Sequence, residues 1–258
     1  MGLGRSLFSE THCHLKDDGS GNLDLIMNQA RAVGIELVLN AGSNLESSKR
    51  AILIAQKHSI VRACVGLHPW NSGEYSSETL SELRALAGEE GVVAVSEIGL
   101  DYVGRRMPDG RFTNEYVDKQ IQRAAFREQL SLAVELGLPV IVHDRTPDWE
   151  VLDMIEKEGN VESGVAIHGF SKGVEYAKRC AEMDIYLSIG LRTVTAPMNA
   201  DLEEAIKRIP LQWLLTETDS GNPEGVLTVA EKIARMRGMS RDDVGQAATR
   251  NLRRLVQR

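Results

Sequence analysis

Short runs of β-branched residues alternate with longer amphipathic runs along the chain, and this alternation constrains the fold more than any other feature. Such a pattern is typical of a parallel sheet covered by helices. The eight predicted strands are residues 7–12, 35–41, 61–68, 92–98, 139–143, 164–168, 184–189 and 213–218. Eight strand–helix units in 258 residues predict an α/β fold of the (β/α)8 TIM-barrel type, with residues 1–258 as a single domain. An open, doubly wound sheet is the alternative architecture.

The composition restricts the class of protein. The chain is 42% hydrophobic and 26% charged, which is ordinary for a globular protein with a large core. It contains no apolar stretch near the roughly 20 residues that span a bilayer, so we expect a cytoplasmic protein without a membrane partner. Three cysteines without a CxxC pair predict buried free thiols. The net charge of −7 argues against broad coating of nucleic acid, but a phosphate can still enter a pocket where metal ions supply positive charge.

Histidines concentrate at the predicted strand ends. Five of the six histidines lie at or just after the end of a strand, and these are His12, His14, His68, His143 and His168. Two carboxylates, Glu97 and Asp219, follow the same pattern on the fourth and eighth strands. The carboxyl ends of barrel strands meet at one face, where barrel active sites lie, so these side chains are expected to be neighbours. The sixth histidine, His58, falls at a helix end and is expected on the surface.

The types and spacing of these residues indicate a divalent-metal site. His12 and His14 are two residues apart on a strand, so both imidazoles point to one face and can bind one ion. A carboxylate such as Glu97 inside a barrel is costly unless it is paired, and its two oxygens can bridge two cations. Each residue also has an ordinary alternative: a hydrogen-bonded core histidine, an ion pair of Glu97 with Arg145, or an N-cap at Asp219.

The remaining predictions concern the reaction. Asp219 is interpreted as a metal ligand and general base, with Glu97 as the second catalytic carboxylate. His68 is assigned to substrate contact because six other side chains are available as ligands. Arg145 is a candidate substrate clamp, with an ordinary surface charge as the alternative. The connection at 101–118 is oversized, and it offers three further arginines for this purpose: Arg105, Arg106 and Arg111.

Several motifs, in chain order, resemble the TatD-type metal-dependent deoxyribonucleases. They are SETHCHL (9–15), GLHP (66–69), EIGLDY (97–102), FREQL (126–130), LPVIVH (138–143), HGFS (168–171) and ETDS (217–220). The resemblance implies a TIM barrel of the amidohydrolase superfamily that hydrolyses phosphodiesters, usually in DNA, with divalent metal ions. Carried over by position, it implies that the metal ligands are His12, His14, Glu97, His143, His168 and Asp219. His68 then matches the substrate-side histidine of the family.

The chain departs from the family pattern on the substrate side. Glu10 stands where an aspartate is usual, Gly169 replaces a common cysteine, and Lys172 replaces a small residue. Residues 221–225 also differ from the usual continuation, and the connection at 101–118 is longer than is typical. None of these differences falls on an implied metal ligand, so they bear on which substrate is bound rather than on the metal chemistry.

The predicted mechanism is hydrolysis by hydroxide generated on two divalent ions, since metal coordination lowers the pKa of water to about 7. We expect Glu97 to bridge the ions, His12 and His14 to hold one, and the histidines of the fifth and sixth strands to hold the other. The candidate ions are Zn, Mn, Ni, Co and Mg, and an imidazole-rich site favours the first four. DNA is the expected partner, with no obligate protein partner. The alternatives are hydrolysis of an amide, lactone or aminoacyl ester by the same centre, and a non-catalytic metal-binding protein.

Overall fold

In the computed structural model, which describes residues 7–105, 107, 111–158 and 162–257, eight parallel strands form one sheet in chain order. The strands are β1 (Phe8–Cys13), β2 (Ile35–Ala41), β3 (Val61–Val65), β4 (Val92–Asp101), β5 (Val140–Arg145), β6 (Val165–His168), β7 (Tyr186–Gly190) and β8 (Leu214–Glu217). Each strand pairs in parallel with the next one along the chain. The predicted (β/α)8 TIM barrel is confirmed.

Helices fill the connections between strands. Those of the described residues are α1 (Asn22–Ala32), α2 (Leu45–Lys57), α3 (Ser77–Ala87), α4 (Lys119–Leu136), α5 (Glu150–Glu158), α6 (Val174–Glu182), α7 (Leu191–Thr195), α8 (Ala200–Arg208), α9 (Gly225–Arg237) and α10 (Arg241–Val256). Asn44 and Ser240 cap the first turns of α2 and α10 through their side chains. Gly137 ends α4 with a φ of 65°, a left-handed conformation that glycine adopts without strain. None of the described helices combines the length and apolar character needed to cross a bilayer.

The barrel interior is apolar below the strand ends and polar at them. Strands β2 to β8 supply the inward residues of the apolar layer, which are Leu37, Leu39, Cys64, Ala94, Ile141, Ala166, Tyr186 and Leu215. Leu252 and Leu255 of α10 close the lower end of this layer. His143 and His168, which are register partners, lie two residues beyond Ile141 and Ala166. Since side chains two apart on a strand share a face, the alternation that fills the interior also turns both imidazoles inward.

The seam between β8 and β1 is closed partly by a side chain. The backbone N–H of Asp219 donates to the carbonyl of His12 at 3.0 Å, and that of His14 donates to Ser220 at 2.9 Å. Between them, Oε1 of the fully buried Glu10 accepts the backbone N–H groups of His12 and Thr218, both at 3.0 Å. These bonds hold the first strand, β1, against the last strand, β8, at the level of the histidines.

Most strand ends lie within two residues of the predicted ones, and the larger differences concern two strands and one helix. Strand β3 ends at Val65 rather than at residue 68, whereas β4 runs on to Asp101. His68 therefore lies outside the strand, as the N-cap of a 3₁₀ helix, Pro69–Glu74, whose first position suits proline because its φ is fixed and no N–H is needed there. The five-residue α7 was not predicted, since a single turn of helix is too short to show a hydrophobic period. All three cysteines are buried free thiols, as expected.

The packing of α10 on β1 gives a test of the fold. A Cβ on Gly245 would lie 2.3 Å from Cε1 of Phe8, a ring that is 2% exposed and cannot move aside. We expect Gly245→Ala to cost a net free energy of unfolding of about 1–2 kcal/mol, because overpacking outweighs the gain in helix propensity. The melting temperature should fall by about 2–8 °C. Arg250→Ala, at an exposed position of the same helix, is the control, and an unchanged melting temperature for Gly245→Ala would contradict this packing.

Candidate metal centre

The carboxylate of Glu97 lies at the centre of a group of five imidazoles. Its Oε1 is 2.7 Å from Nε2 of His168, 2.9 Å from Nδ1 of His143 and 3.3 Å from Nε2 of His68. Its Oε2 is 3.4 Å from Nε2 of His12 and 3.7 Å from Nε2 of His14. The carboxylate oxygen Oδ1 of Asp219 lies 3.4 Å from His14 Nε2. The strand ends thus bring together all six predicted ligands and His68.

Two sets of these groups have the spacing of metal ligands. His12, His14 and Glu97 form one set, and His68, Glu97 and His143 form the other, with ligand atoms within 4.8 Å of one another in each. Glu97 belongs to both sets and offers a different oxygen to each side. The predicted sharing of one carboxylate by two cations needs such an arrangement, and the number of ions stays a prediction.

The hydrogen bonding of the cluster also fits a cation. His12 is fully buried, yet neither of its ring nitrogens has a hydrogen-bond partner within the described residues. Its ring stacks on that of His168 with centroids 4.0 Å apart, and Nε2 of His168 in turn lies 3.1 Å from Nδ1 of His143. Unsatisfied buried nitrogens are costly, and a divalent cation between them would satisfy their lone pairs.

The site is electrostatically prepared for positive charge. Burial would by itself raise the pKa of Glu97, but the neighbouring His68 and His168 hold it well below its usual range. For Asp219 burial again disfavours the ionised form, and the contact with His14 lowers its pKa below the ordinary value. Burial lowers the pKa of His68 to about 4, which keeps this ring neutral at neutral pH. Two ionised carboxylates among buried imidazoles form a set of donors to which divalent first-row metals bind.

The hydrogen bond made by Nδ1, the ring nitrogen that faces away from Glu97, differs between His14 and His68. Nδ1 of His14 donates to the carbonyl of Ala41 at 3.1 Å, so the lone pair of its Nε2 is turned toward the carboxylates. His68 is the reverse, because its Nδ1 accepts the backbone N–H of Trp70 at 2.9 Å. A neutral His68 therefore carries its proton on Nε2, the nitrogen that faces the site, and a protonated nitrogen cannot bind a metal ion. His68 is placed as a hydrogen-bond donor rather than as a ligand.

The other sequence predictions lie away from this cluster. The guanidinium of Arg145 stands 5.5 Å from the ring centre of Phe112, on the wall of a neighbouring cavity, and forms no ion pair with Glu97 in the described structure. Arg105 of the long connection lies 5.5 Å over Trp70, whereas Arg106 falls outside the described residues. His58 is apart from the site as predicted, but it is buried at the end of α2 and the expected surface position was wrong.

Comparison with known proteins agrees with this geometry. A family model described as TatD related DNase matches residues 10–257. The chain belongs to the TatD family. It is 30% identical over 259 residues to the metal-dependent hydrolase YabD of Bacillus subtilis strain 168, which covers 95% of this chain and 97% of that protein. The chain is accordingly a metal-dependent hydrolase of the TatD family.

Two further TatD-family proteins are informative. The protein named 3′-5′ ssDNA/RNA exonuclease TatD from Citrobacter koseri is 31% identical over 197 residues, which cover 76% of this chain and 72% of that protein. The crystal structure of YjjV, a TatD homologue from Escherichia coli K12, has a TM-score of 0.83 at 27% identity and covers 97% of this chain and 98% of its own. The same fold therefore extends over almost all of this TatD-family chain.

Asp101 contacts a candidate ligand, His143, and the sequence predictions missed it. Its Oδ2 lies 3.0 Å from Nε2 of His143 and accepts the indole N–H of Trp70 at 2.9 Å. Its Oδ1 accepts the backbone N–H groups of Val103 and Gly104. Asp101 thereby orients the ring of His143 and leaves its Nδ1 free to face Glu97, as carboxylates behind metal-binding histidines do. The signal was present in the sequence, because Asp101 is four residues after Glu97 and so shares its strand face, but the strand was predicted to end at residue 98.

Asp101→Asn tests this orienting role. Whichever way the amide is turned, its NH2 group faces a donor: the indole of Trp70, or the backbone N–H groups that Oδ1 accepts. We expect metal affinity to fall about 10–100-fold, measured by competition with a chelating dye at a temperature well below the melting transition. The buried donor without an acceptor should also cost about 1–3 kcal/mol of the free energy of unfolding. Asp184→Asn, at an exposed position before β7 on the opposite face of the barrel, is the matched control. Equal metal affinity in the two variants would show that Asp101 does not position a ligand.

Proposed function

We propose that this TatD-family chain is a divalent-metal-dependent phosphodiesterase that acts on nucleic acid, with DNA as its substrate. The observation that carries the proposal is the carboxylate of Glu97 at the mouth of the barrel, whose Oε2 faces His12 and His14 and whose Oε1 faces His143 and His168. The name of the Citrobacter koseri relative, a 3′-5′ ssDNA/RNA exonuclease, supports nucleic acid as the substrate class. The match of the family model to residues 10–257 supports treating residues 1–258 as one hydrolase domain.

The donor set suggests how two cations would be held. His12 and His14 would hold one, with Asp219 beside them, and His143 and His168 would hold the other, with Glu97 between the two. Four imidazoles favour Zn, Ni, Co or Mn over Mg, which prefers oxygen ligands. When bound, such cations supply Lewis acidity to the scissile phosphoryl group and to the attacking water.

The protein side chains then have separate tasks. Asp219 is partly exposed to the neighbouring cavity and ionised, so it is placed to orient the attacking water and to accept its proton. His68 carries a proton on the nitrogen that faces the site, so it donates a hydrogen bond to a phosphoryl oxygen as negative charge develops there. Arg145 lines the cavity and clamps the sugar–phosphate chain of the substrate.

Asp219→Asn tests the proposed base. The amide keeps the size of the side chain but cannot take a proton, so kcat should fall about 10²–10⁴-fold. The assay is hydrolysis of bis-p-nitrophenyl phosphate and of a DNA oligomer, run beside panels of esters, lactones and amides. Asp184→Asn again serves as control and should keep wild-type turnover. Hydrolysis of an ester, lactone or amide without any phosphodiester turnover would replace the proposed function by the carbonyl-directed alternative.

Metal content tests the shared carboxylate. We expect about two equivalents of metal per chain and loss of phosphodiesterase activity on chelation, with recovery when Zn²⁺, Mn²⁺, Ni²⁺ or Co²⁺ is added back. Glu97→Gln should lose most of both equivalents, because the amide replaces the negative charge that both sets of imidazoles surround. Elemental analysis after dialysis measures the content. Two retained equivalents in Glu97→Gln would contradict a bridging role.

A further inference from the structure

A large cavity opens directly beside the metal centre. Its volume is about 770 Å³, within the range of pockets that bind small organic ligands, and Thr218 and Asp219 form its inner end. One wall comes from the connection between β4 and α4, through Tyr102 and Phe112. The opposite wall comes from α7 and the segment after it. A substrate whose scissile bond lies at the metal centre must extend into this space.

The charges that line the cavity leave positive charge available to a ligand. Four cations line it: Lys119, Arg145, Lys172 and Arg192. Lys172 forms an ion pair with the buried Asp144, whose other oxygen accepts from Thr146. Lys119, Arg145 and Arg192 form no ion pair with any carboxylate of the described chain, although the net charge of the protein is −7. Arginines without a carboxylate partner on a pocket wall recognise planar anions, above all phosphate.

The carboxylates at the inner end do not cancel this charge. Oε1 of Glu217 accepts the backbone N–H of Gly169 at 2.7 Å, and Asp219 faces His14. Asp144 accepts the hydroxyl of Tyr176 in addition to its contact with Lys172. Each of these carboxylates therefore has at least one polar partner within the protein, whereas three of the four cations have no carboxylate partner in the described chain.

The walls of the cavity are apolar and aromatic. Phe112 is 39% exposed, which is unusual for a phenylalanine, and its ring lies 5.5 Å from the guanidinium of Arg145. Tyr102 stands in the same way 4.2 Å from the ammonium of Lys119. Pro197 and Met198 face the cavity from the other wall. An inorganic anion would contact only the cations, and an apolar ligand would contact only the apolar and aromatic walls. A nucleotide can contact both, through its phosphate and its base.

We propose that this cavity is a flanking-nucleotide pocket, which binds the nucleotide next to the scissile phosphate. Phe112 and Tyr102 stack on the base of that nucleotide, and Arg192 and Arg145 bind the phosphate of the same nucleotide. The proposal rests on the proposed function and deepens it. The substrate is an oligonucleotide with at least one nucleotide beyond the bond that is cut. The oversized connection at 101–118 then has a physical task, since it supplies the exposed ring of Phe112.

Two substitutions test the binding of the phosphate and the stacking of the base separately. Arg192→Ala should raise KM for trithymidylate about tenfold with kcat almost unchanged, because it removes binding made equally in ground and transition states. Phe112→Ala should have a similar effect on trithymidylate but none on an oligomer with an abasic site in place of the flanking base. Neither variant should change KM for bis-p-nitrophenyl phosphate, which has no flanking nucleotide. Arg254→Ala, an exposed arginine on α10, is the matched control.

Binding without turnover gives an independent readout. Anisotropy of a fluorescein-labelled hexathymidylate, measured with the chelated protein, should show a Kd about tenfold higher for Arg192→Ala. The dependence of its binding on salt should also be weaker than in the wild type, since one phosphate contact is lost. Melting temperatures close to that of the wild type will show that both variants are folded.

The outcomes distinguish this proposal from the function on which it rests. DNA hydrolysis by the wild type, with unchanged KM and Kd in both variants, would overturn the pocket and leave the phosphodiesterase standing. An effect of Arg192→Ala alone, equal for abasic and normal oligomers, would reduce the pocket to an anion site and overturn stacking. No phosphodiester hydrolysis at all by the metal-loaded wild type would remove the proposed function itself.

Discussion

The burial of one carboxylate, Glu97, is the constraint on which the rest of the site depends. A carboxylate that is 4% exposed inside a barrel is unstable by itself, and here its stability comes from imidazoles on three other strands and one loop. Four of those imidazoles are themselves buried, those of His12, His68, His143 and His168, and the ring of His12 has no hydrogen-bond partner among the described residues. Neither the acid nor the bases are satisfied without the other, and together they form a donor set that a divalent cation completes.

Such a cluster needs a scaffold that fixes strand ends relative to one another. Seven strand pairs do this through parallel ladders, in which His143 and His168 are direct register partners. The eighth interface relies on Glu10, whose buried carboxylate joins the backbone of His12 to that of Thr218. Burial raises the pKa of Glu10 well above its usual value, because the ionised form loses its hydration there. The departure from the aspartate of the family pattern therefore lies at the seam that sets the distance between His14 and Asp219.

The strands and the positions of most candidate ligands could be predicted from the sequence, because both follow from the two-residue period of a β-strand. Because alternate side chains of a strand point to the same face, His12, His14, His143 and His168 could be assigned to the barrel interior without any knowledge of contacts. Because the strand ends of a barrel meet at one face, they could also be predicted to be neighbours. What could not be predicted depends on partners that are distant along the chain. Asp101 was missed because β4 extends through its pairing with Arg145 on β5, and the burial of His58 depends on how α2 packs against the strands. The roles of the two ring nitrogens of His68 likewise depend on one backbone N–H that no sequence pattern shows.

Under the proposed function, the distribution of charge explains how an acidic protein would act on a polyanion. A net charge of −7 keeps nucleic acid from binding over the surface as a whole, so affinity must come from a few places where positive charge is left over. The cavity beside the metal centre is such a place, since its carboxylates contact polar groups of the protein and three of its cations form no ion pair with a carboxylate of the described chain. For the proposed nucleic-acid substrate, local excess charge next to the metal centre would favour the binding of one end or one segment of a strand there. Selectivity for where the chain is cut can thus arise from repulsion elsewhere as much as from attraction at the site.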